Sequence, residues 1–253
     1  SYGQVSWQAM VAHISVRSPV PAETESYFKA LRAVDVDRVR RILDESPELV
    51  DQRIADVMAD RWEPADASNR QSSTALHWVA VGGWQQASLL TLAQLLIEYG
   101  ADVDAMGYNE NKGVAPAIVL AAWEGQLDVL TLLLAAGADP NRPAAAETAL
   151  YCAIEHTAPD TPEPNKVSVL LAHGAEHDVF TAAMTGRIDL LETLLDEYGA
   201  LLERRSLKRN RTPLEEAVQY ARWETAAHLV ARGAIVSIHA ASAMGRRDLV
   251  ARL

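Results

Sequence analysis

A short apolar stripe that ends in a glycine reversal recurs along this chain and constrains its fold more than any other sequence feature. In residues 127–134, leucines lie at positions i, i+3, i+6 and i+7, and Gly137-Ala138-Asp139 follows. Such spacing predicts one apolar face on a short helix, and glycine favours the positive φ at which helices end. The stripe returns in residues 36–43, 90–97, 167–171, 188–195 and 223–230. The stripe residues, Trp223 included, are predicted to lie in the core.

A second helix, rich in small residues, is predicted before each stripe. It is clearest in residues 121–125, 182–186 and 240–245, where alanines precede a glycine. Small side chains let two helices approach closely, so each unit is predicted to be a helix, a turn and a helix. One such unit cannot bury its apolar faces alone, whereas stacked units can, which is the principle of a solenoid.

These units resemble the ankyrin repeat. Thr74-Ala75-Leu76-His77 and Thr212-Pro213-Leu214 resemble the TPLH opening of that repeat, and the Gly-Ala-Asp endings resemble its GADVN ending. The distance of 12 residues from Gly125 to Gly137 is also that of the family. The resemblance implies hydrogen bonds from the His77 ring that join neighbouring loops.

The resemblance extends over about residues 27–253 and implies an all-α ankyrin-repeat solenoid. We expect about six helix-turn-helix units plus a partial C-terminal one, with long finger loops and a concave groove for partners. Residues 1–26 are then an N-terminal extension and residues 27–253 the ankyrin-repeat domain. Residues 27–53 align without a gap to residues 179–205, with identities such as Phe28/Phe180, and are therefore interpreted as a repeat.

Three insertions interrupt the repeat period, at residues 54–73, which include Trp62, and at residues 84–89 and 157–166. Loops are where repeat proteins place specificity, so these insertions favour a dedicated ligand. Neutral drift in tolerant loops is the alternative.

Charge excludes one class of partner and singles out one loop. The net charge of −11 disfavours nucleic-acid binding, which depends on neutralising phosphates. Five cationic side chains nevertheless fall within residues 204–211. This basic loop is interpreted either as a grip for an acidic patch or phosphate, or as a solvated turn balanced by Glu203, Glu215 and Glu216.

The remaining sequence signals argue against membranes, disulfides and cofactors. No apolar run approaches the ~20 residues of a membrane span, and no signal peptide is recognised. The single cysteine, Cys152, is expected to be a small buried residue in a protein of a reducing compartment, by default the cytoplasm. No nucleophile or phosphate-binding motif occurs, and His173 and His177 are separated by Gly174 and lack a third ligand. Neither a cofactor nor a metal is predicted.

The last residues of the alanine-rich helices form the candidate binding site. In ankyrin proteins this column faces the concave groove, and aromatic residues are enriched at contact surfaces. The residues predicted to bind a ligand are Trp123, Glu124, Glu155, His156, Met184 and Tyr220.

The predicted function is recognition of a partner, expected to be a protein, through the groove and the finger loops. A small molecule in the groove is a further option. Two alternatives stay open: an immunity-type or inhibitory protein that blocks an enzyme, and an atypical enzyme that uses Glu124 and His156 as an acid–base pair.

Overall fold

The structure is a computed structural model that describes residues 20–54, 64–65, 72–82, 86–109, 113–124, 126–142, 144, 147–158, 161–207 and 209–245. In this part of the chain the helices follow one another as six pairs and one further helix. The first helices of the pairs are α1 Ala22–Arg32, α3 Ala75–Val81, α5 Ala117–Glu124, α7 Ala149–Glu155, α9 Val179–Thr185 and α11 Pro213–Gln219, followed by α13 Ile238–Ala243. The second helices are α2 Val36–Glu45, α4 Gln86–Glu98, α6 Leu127–Ala135, α8 Lys166–Ala172, α10 Ile188–Glu197 and α12 Trp223–Ala231.

Successive pairs pack side by side. Each first helix from α3 to α11 contacts the next first helix, and the second helices from α2 to α8 do the same. We call the first helices the inner column and the second helices the outer column. Among the described helices, none combines the length and the apolar character that crossing a bilayer requires. α1 begins at Ala22, before the predicted start of the repeat domain at Tyr27.

Side-chain caps explain where four of the inner helices begin. Thr148, Asp178, Thr212 and Ser237 each precede an inner helix and accept a hydrogen bond from a backbone N–H of its first turn. These N–H groups have no partner within the helix, and such a cap stabilises a helix by about 1 kcal/mol. The same cap at the same place in three pairs and before α13 gives each of these units the same local start.

Two short antiparallel hairpins add strands to the mostly helical fold. β1 Arg53–Ile54 pairs with β2 Pro64–Ala65, and β3 Met106–Asn109 pairs with β4 Gly113–Pro116. Both hairpins lie in loops between helix pairs, where their backbone N–H and C=O groups pair with one another, and the fold is mostly helical, as predicted.

The predicted repeat at residues 27–53 has the same order of elements as residues 179–205. A 3-10 helix follows the outer helix in both segments, at Pro47–Asp51 and at Gly199–Glu203. Within the insertion at 54–73 the structure describes residues 54, 64–65 and 72–73, and Trp62 lies outside the described residues.

Alanines and leucines form the core between the two columns. Ala121, Ala122 and Ala183 of the inner column and Leu130 and Leu133 of the outer column are at most 1% exposed. The small side chains permit close approach of the inner helices, and the leucines fill the space between the columns. Burial of the stripe at residues 127–134 therefore agrees with the prediction.

The stripe prediction is wrong at Trp223, whose side chain is 49% exposed. Trp223 is the first residue of α12, so it lies at the edge of the packed face rather than within it. Leu194 of α10 is half-buried, whereas Leu191 and Leu195 of the same helix are buried.

Polar side chains join consecutive pairs where the inner helices end. Gln126, Lys166 and Arg222 lie at the start of three outer helices and donate to Ala80 O, Ala122 O and Met184 O at 3.1, 2.6 and 2.9 Å. Each acceptor belongs to the inner helix of the preceding pair. Carbonyl groups in the last turn of a helix lack a helical partner, and a cation there also complements the helix dipole. These bonds fasten each pair to its neighbour.

His77 joins α3 to the loop of the next pair. Its Nδ1 accepts from the backbone N–H of Thr74 at 3.3 Å, so in the neutral ring Nε2 carries the proton and donates to Ala115 O at 3.0 Å. Gly107 packs on the ring, and a Cβ at that position would lie 2.5 Å from it. Burial lowers the pKa of His77 to about 4. The structural role predicted for His77 is confirmed.

We expect Leu130→Ala to lower the free energy of unfolding by about 2–5 kcal/mol, because Leu130 is fully buried. Leu171→Ala is the matched control, since Leu171 is 39% exposed on α8, and its loss should be clearly smaller. Urea unfolding followed by circular dichroism measures both variants. Equal losses at the two positions would contradict the packing described here.

Stability should fall as the pH is lowered from about 6.5 to about 4, and His77 should account for part of the fall. The unfolded histidine titrates near pH ~6.5, above the folded value, so the unfolded chain binds the proton first. Acidification through this window therefore favours unfolding, by at most about 3 kcal/mol from this group. His77→Gln should make the pH dependence shallower, and His173→Gln, at an exposed position, should not. Thermal unfolding at several pH values between 7 and 4 tests this, and parallel curves for His77→Gln and wild type would count against it.

Candidate functional site

The six predicted ligand residues lie in or just after four inner helices. Trp123 and Glu124 end α5, Glu155 and His156 end α7, Met184 lies in α9, and Tyr220 caps α11. We call the surface formed by the C-terminal ends of these four helices the groove face. Glu124 and His156 are exposed, and Trp123, Glu155 and Tyr220 are half-buried. Contact of these residues with a ligand stays a prediction.

Met184 does not belong to this surface, because its side chain is fully buried. The prediction counted residues back from Gly186, but α9 is as long as α7 and α11, and its positive-φ residue comes one position sooner after the N-cap than Ala221 does in the next pair. Counted from the N-cap, Met184 occupies the position of Ile154 in α7, which is also buried. Gly186 is the C-cap of α9, with φ 81°, and takes the position that His156 and Tyr220 hold in the flanking pairs.

The small residues at the end of α9 leave room on the groove face between α7 and α11. Ala182, Thr185 and Gly186 of pair five lie at the positions that Cys152, Glu155 and His156 hold in pair four. Since these side chains are small, groups from pair four and from the segment before and within α11 meet across α9. The contacts described next join residues 54 and 65 positions apart.

Trp123, His156 and Glu155 form a continuous group on the groove face. The rings of Trp123 and His156 meet edge to face with centroids 6.2 Å apart. The His156 Nε2 lies 3.3 Å from Oε2 of Glu155. An edge-to-face contact and a carboxylate at Nε2 both fix the orientation of the imidazole.

Arg209 reaches this group from the loop before α11. Residues 204–211 form that loop, which we call finger six, and the Arg209 Nη2 donates to Oε1 of Glu155. The Glu155 side chain is 11% exposed, whereas that of Arg209 is 40% exposed. Finger six is thus folded against the groove face by a charge-assisted hydrogen bond.

A buried hydrogen bond lies beside this ion pair. Tyr151 of α7 donates its hydroxyl to Oε1 of Glu216 of α11 at 2.7 Å, and Glu216 is fully buried. Burial raises the pKa of the Glu216 carboxyl, and the Tyr151 hydroxyl and the Arg211 guanidinium oppose that rise. The pKa of Tyr220 is raised too, first by burial and then by the charge of Glu216.

Three of the four described cations of finger six have partners within the protein. Arg205 lies 3.3 Å from Glu215, and Arg211 lies 3.6 Å from Glu216. The predicted balance of the basic loop by Glu215 and Glu216 is confirmed. Glu203 instead accepts from the backbone N–H of Ile235 at 2.7 Å.

Two open pockets lie on either side of finger six. The pocket toward pair four has a volume of about 260 Å³ and is lined by Glu147, Tyr151, Phe180 and Arg204 among others. The pocket toward α13 has a volume of about 390 Å³ and is lined by finger six, α11 and α13. Finger six therefore separates the two pockets.

Cys152 is fully buried, as predicted, and its Sγ lies 3.8 Å from Oε2 of Glu147. Lys166 is buried nearby and also donates to His156 O at 3.2 Å. Burial lowers the pKa of Lys166, and the charges of Cys152 and Glu124 oppose that shift. The hydrogen bond from the Lys166 ammonium group thus fixes the position of the backbone at His156.

His173 and His177, which were considered as metal ligands from the sequence, lie away from the groove face. The His173 Nδ1 is 2.8 Å from Val169 O at the end of α8, and burial lowers the pKa of His177. Within the described ranges, no three or more His, Cys, Asp or Glu side chains are grouped so that they would hold a metal ion.

Sequence inspection did not identify Tyr151, Glu216 or Arg209 as residues of this site. One signal was available: Glu216 occupies a helix position where the other described inner helices have apolar or small residues such as Cys152 and Ala182. A carboxylate at a core position requires a buried donor, which the alignment of units does not reveal.

We expect Tyr151→Phe to lower the free energy of unfolding by about 1–3 kcal/mol, because it leaves a buried Glu216 oxygen without its donor. Tyr198→Phe is the matched control at a side chain that is 56% exposed, and it should change stability by less than ~0.5 kcal/mol. Urea unfolding measures both. If Tyr151→Phe were as stable as the control, the bond across α9 would be absent in solution.

Comparison with known proteins agrees with the repeat pattern. Residues 44–144 match the family model described as ankyrin repeats (3 copies). No curated protein matches the chain. The matched residues include α4, α5 and α6, whose order and packing continue in the later pairs. Residues 44–144 of this chain are therefore identified as ankyrin repeats.

Proposed function

We propose that this protein binds a protein partner through its groove face, with Trp123, Glu155, His156 and Tyr220 as the central contacts. Ankyrin repeats are generally protein–protein interaction modules, which supports a protein as the partner. The proposal includes six ankyrin repeats, one for each helix pair, and a partial seventh that begins with α13. The concave groove of such a solenoid is then the groove face.

The observation that supports this site best is the row of half-buried aromatic side chains on one surface. Trp123 and Tyr220 pack partly against the core and leave the rest of each ring exposed. Large, rigid aromatic side chains supply much contact area at a small entropic cost, and they dominate binding energies at interfaces. His156 lies between them in the chain and contacts Trp123.

Polar groups around the aromatic row favour a specific partner over general adhesion. Glu124 is exposed and Glu155 is held in place by Arg209 and His156. Fixed charged groups penalise partners that lack the complementary group, which is how interfaces obtain specificity. The loops of different length, in particular finger six, add to that selection.

The enzyme hypothesis has less support from the geometry. It requires His156 to act with Glu124, whereas the carboxylate 3.3 Å from His156 Nε2 is that of Glu155. Glu155 is already engaged with Arg209, and a carboxylate beside a guanidinium is a weaker base. An inhibitor that blocks an enzyme is a special case of the proposed binder. We also propose a cytoplasmic location, because the sequence has a single cysteine and therefore no internal disulfide.

Alanine variants of the groove face should weaken partner binding while leaving folding nearly intact. We expect Trp123→Ala and Tyr220→Ala each to weaken binding by more than about 1 kcal/mol. Trp223→Ala and Tyr198→Ala are the matched controls, since these side chains are exposed in or after outer-column helices. Partners captured from the native host are identified by mass spectrometry with wild type, and the dissociation constant of the purified partner is then measured for all four variants.

Two further results would decide between function classes. Loss of binding in the controls but not in the groove variants would place the interface on the outer column and contradict the proposal. His156→Ala should weaken binding by at most ~1–2 kcal/mol in a binder. A loss of ~10²–10⁴-fold in turnover of a bound substrate would instead identify an enzyme.

A further inference from the structure

We propose that the groove face between α7 and α11 holds a site for a guanidinium group, which Arg209 occupies in the free protein and an arginine side chain of the partner occupies in the complex. The inference rests on the proposed function and specifies it, because it names the chemical group that the partner presents. Arg209 is then an internal ligand that competes with the partner.

The first acceptor of this site is Glu155. Its carboxylate is almost completely buried, yet its Oε1 accepts a hydrogen bond from Arg209. The buried carboxylate is thus fixed by α7, while the guanidinium lies on the solvent side. A buried carboxylate that loses its cation is strongly unfavourable, so this position requires a positive group.

The second acceptor is Glu216. Its Oε1 accepts from Tyr151, but its buried Oε2 has no hydrogen-bond partner among the described residues. The Nη1 of Arg211 is 3.6 Å from this carboxylate, which is an ion pair beyond hydrogen-bond range. Buried polar atoms are nearly always hydrogen-bonded, so this oxygen can accept one further donor.

Arg209 binds the first acceptor, and the second acceptor lies beside the same face of α7. Tyr151, which donates to Glu216, precedes Glu155 by four residues on that helix, so the two carboxylates are neighbours on the groove face. The charge of Arg209 also opposes the rise in the pKa of Glu216. Two neighbouring carboxylates suit a planar group with several donors. An ammonium is a compact point charge and matches such spaced acceptors less well.

Arg209 can leave this position without unfolding finger six. The turn is closed by hydrogen bonds from Ser206 N to Arg211 O and from Asn210 N to Ser206 O. Neither bond involves the Arg209 side chain, which is 40% exposed. A partner arginine can therefore replace Arg209 while the loop keeps its turn, and the net charge of −11 favours the approach of a basic partner.

An internal occupant lowers the apparent affinity for an external one. If Arg209 fills the site in about nine molecules of ten, a partner arginine binds about tenfold more weakly than to the vacant site. Vacating the site by mutation should therefore raise the affinity for a small arginine probe.

The test uses N-acetyl-arginine amide as the probe and Arg209→Ala in the full chain. Isothermal titration calorimetry should give about tenfold tighter binding to this variant than to wild type. Arg204→Ala is the matched control: it lies in the same finger, and within the described residues its side chain has no ion pair. It should bind the probe as weakly as wild type. N-acetyl-citrulline amide, which is neutral and nearly isosteric, should not bind to Arg209→Ala.

Adding Glu155→Gln to Arg209→Ala should abolish probe binding, because the first acceptor loses its charge. The proposal is overturned if folded Arg209→Ala does not prefer the arginine probe to the citrulline probe, or binds N-acetyl-lysine amide equally well. If Arg209→Ala does not fold, Arg209→Gln, which keeps a polar side chain of similar reach, is tested with the same expectations. Because the probe replaces the partner, failure here leaves the results for Trp123→Ala and Tyr220→Ala as a separate test of the proposed function.

Discussion

The close packing of alanine-rich inner helices is the constraint on which the rest of this structure depends. Ala121, Ala122 and Ala183 are almost completely buried because each inner helix lies directly against the next. A larger side chain at these positions would push the column apart and separate the leucines that pack behind it. Long polar side chains such as Gln126 and Arg222 then donate to carbonyl groups in the last turns of the inner helices. Neighbouring pairs are therefore joined both by packing and by hydrogen bonds.

A small local change in this regular stack creates the site. Because α9 ends in the small residues Thr185 and Gly186, the two flanking pairs can interact across it. The buried Tyr151–Glu216 bond and the Arg209–Glu155 pair both follow from that gap. Buried carboxylates are costly unless they are paired, so the network has few alternative arrangements once the stack has formed. The groove face therefore combines a rigid polar group with the exposed parts of aromatic rings.

The loops between the helix pairs have unequal lengths, and a long one folds onto the groove face. Pair five has only a short connection between α8 and α9, while finger six before α11 is long and basic. A long loop beside a short one can fold over the neighbouring groove, as Arg209 does. The outer column, by contrast, offers isolated exposed residues such as Trp223, which are common on protein surfaces.

The sequence by itself determined the helix pairs, the leucine and alanine core, the buried Cys152 and the role of His77, because each depends on local spacing or on a recurrent motif. It did not determine that Met184 is buried, that Trp223 is exposed, or that two loops form β-hairpins. Periodicity indicates which face of one helix is apolar, but it does not show which residues of that face are covered by the neighbouring helices. The contacts of Tyr151 with Glu216 and of Arg209 with Glu155 join distant parts of the chain, so only the stacking of the pairs, and the gap left by α9, brings them together.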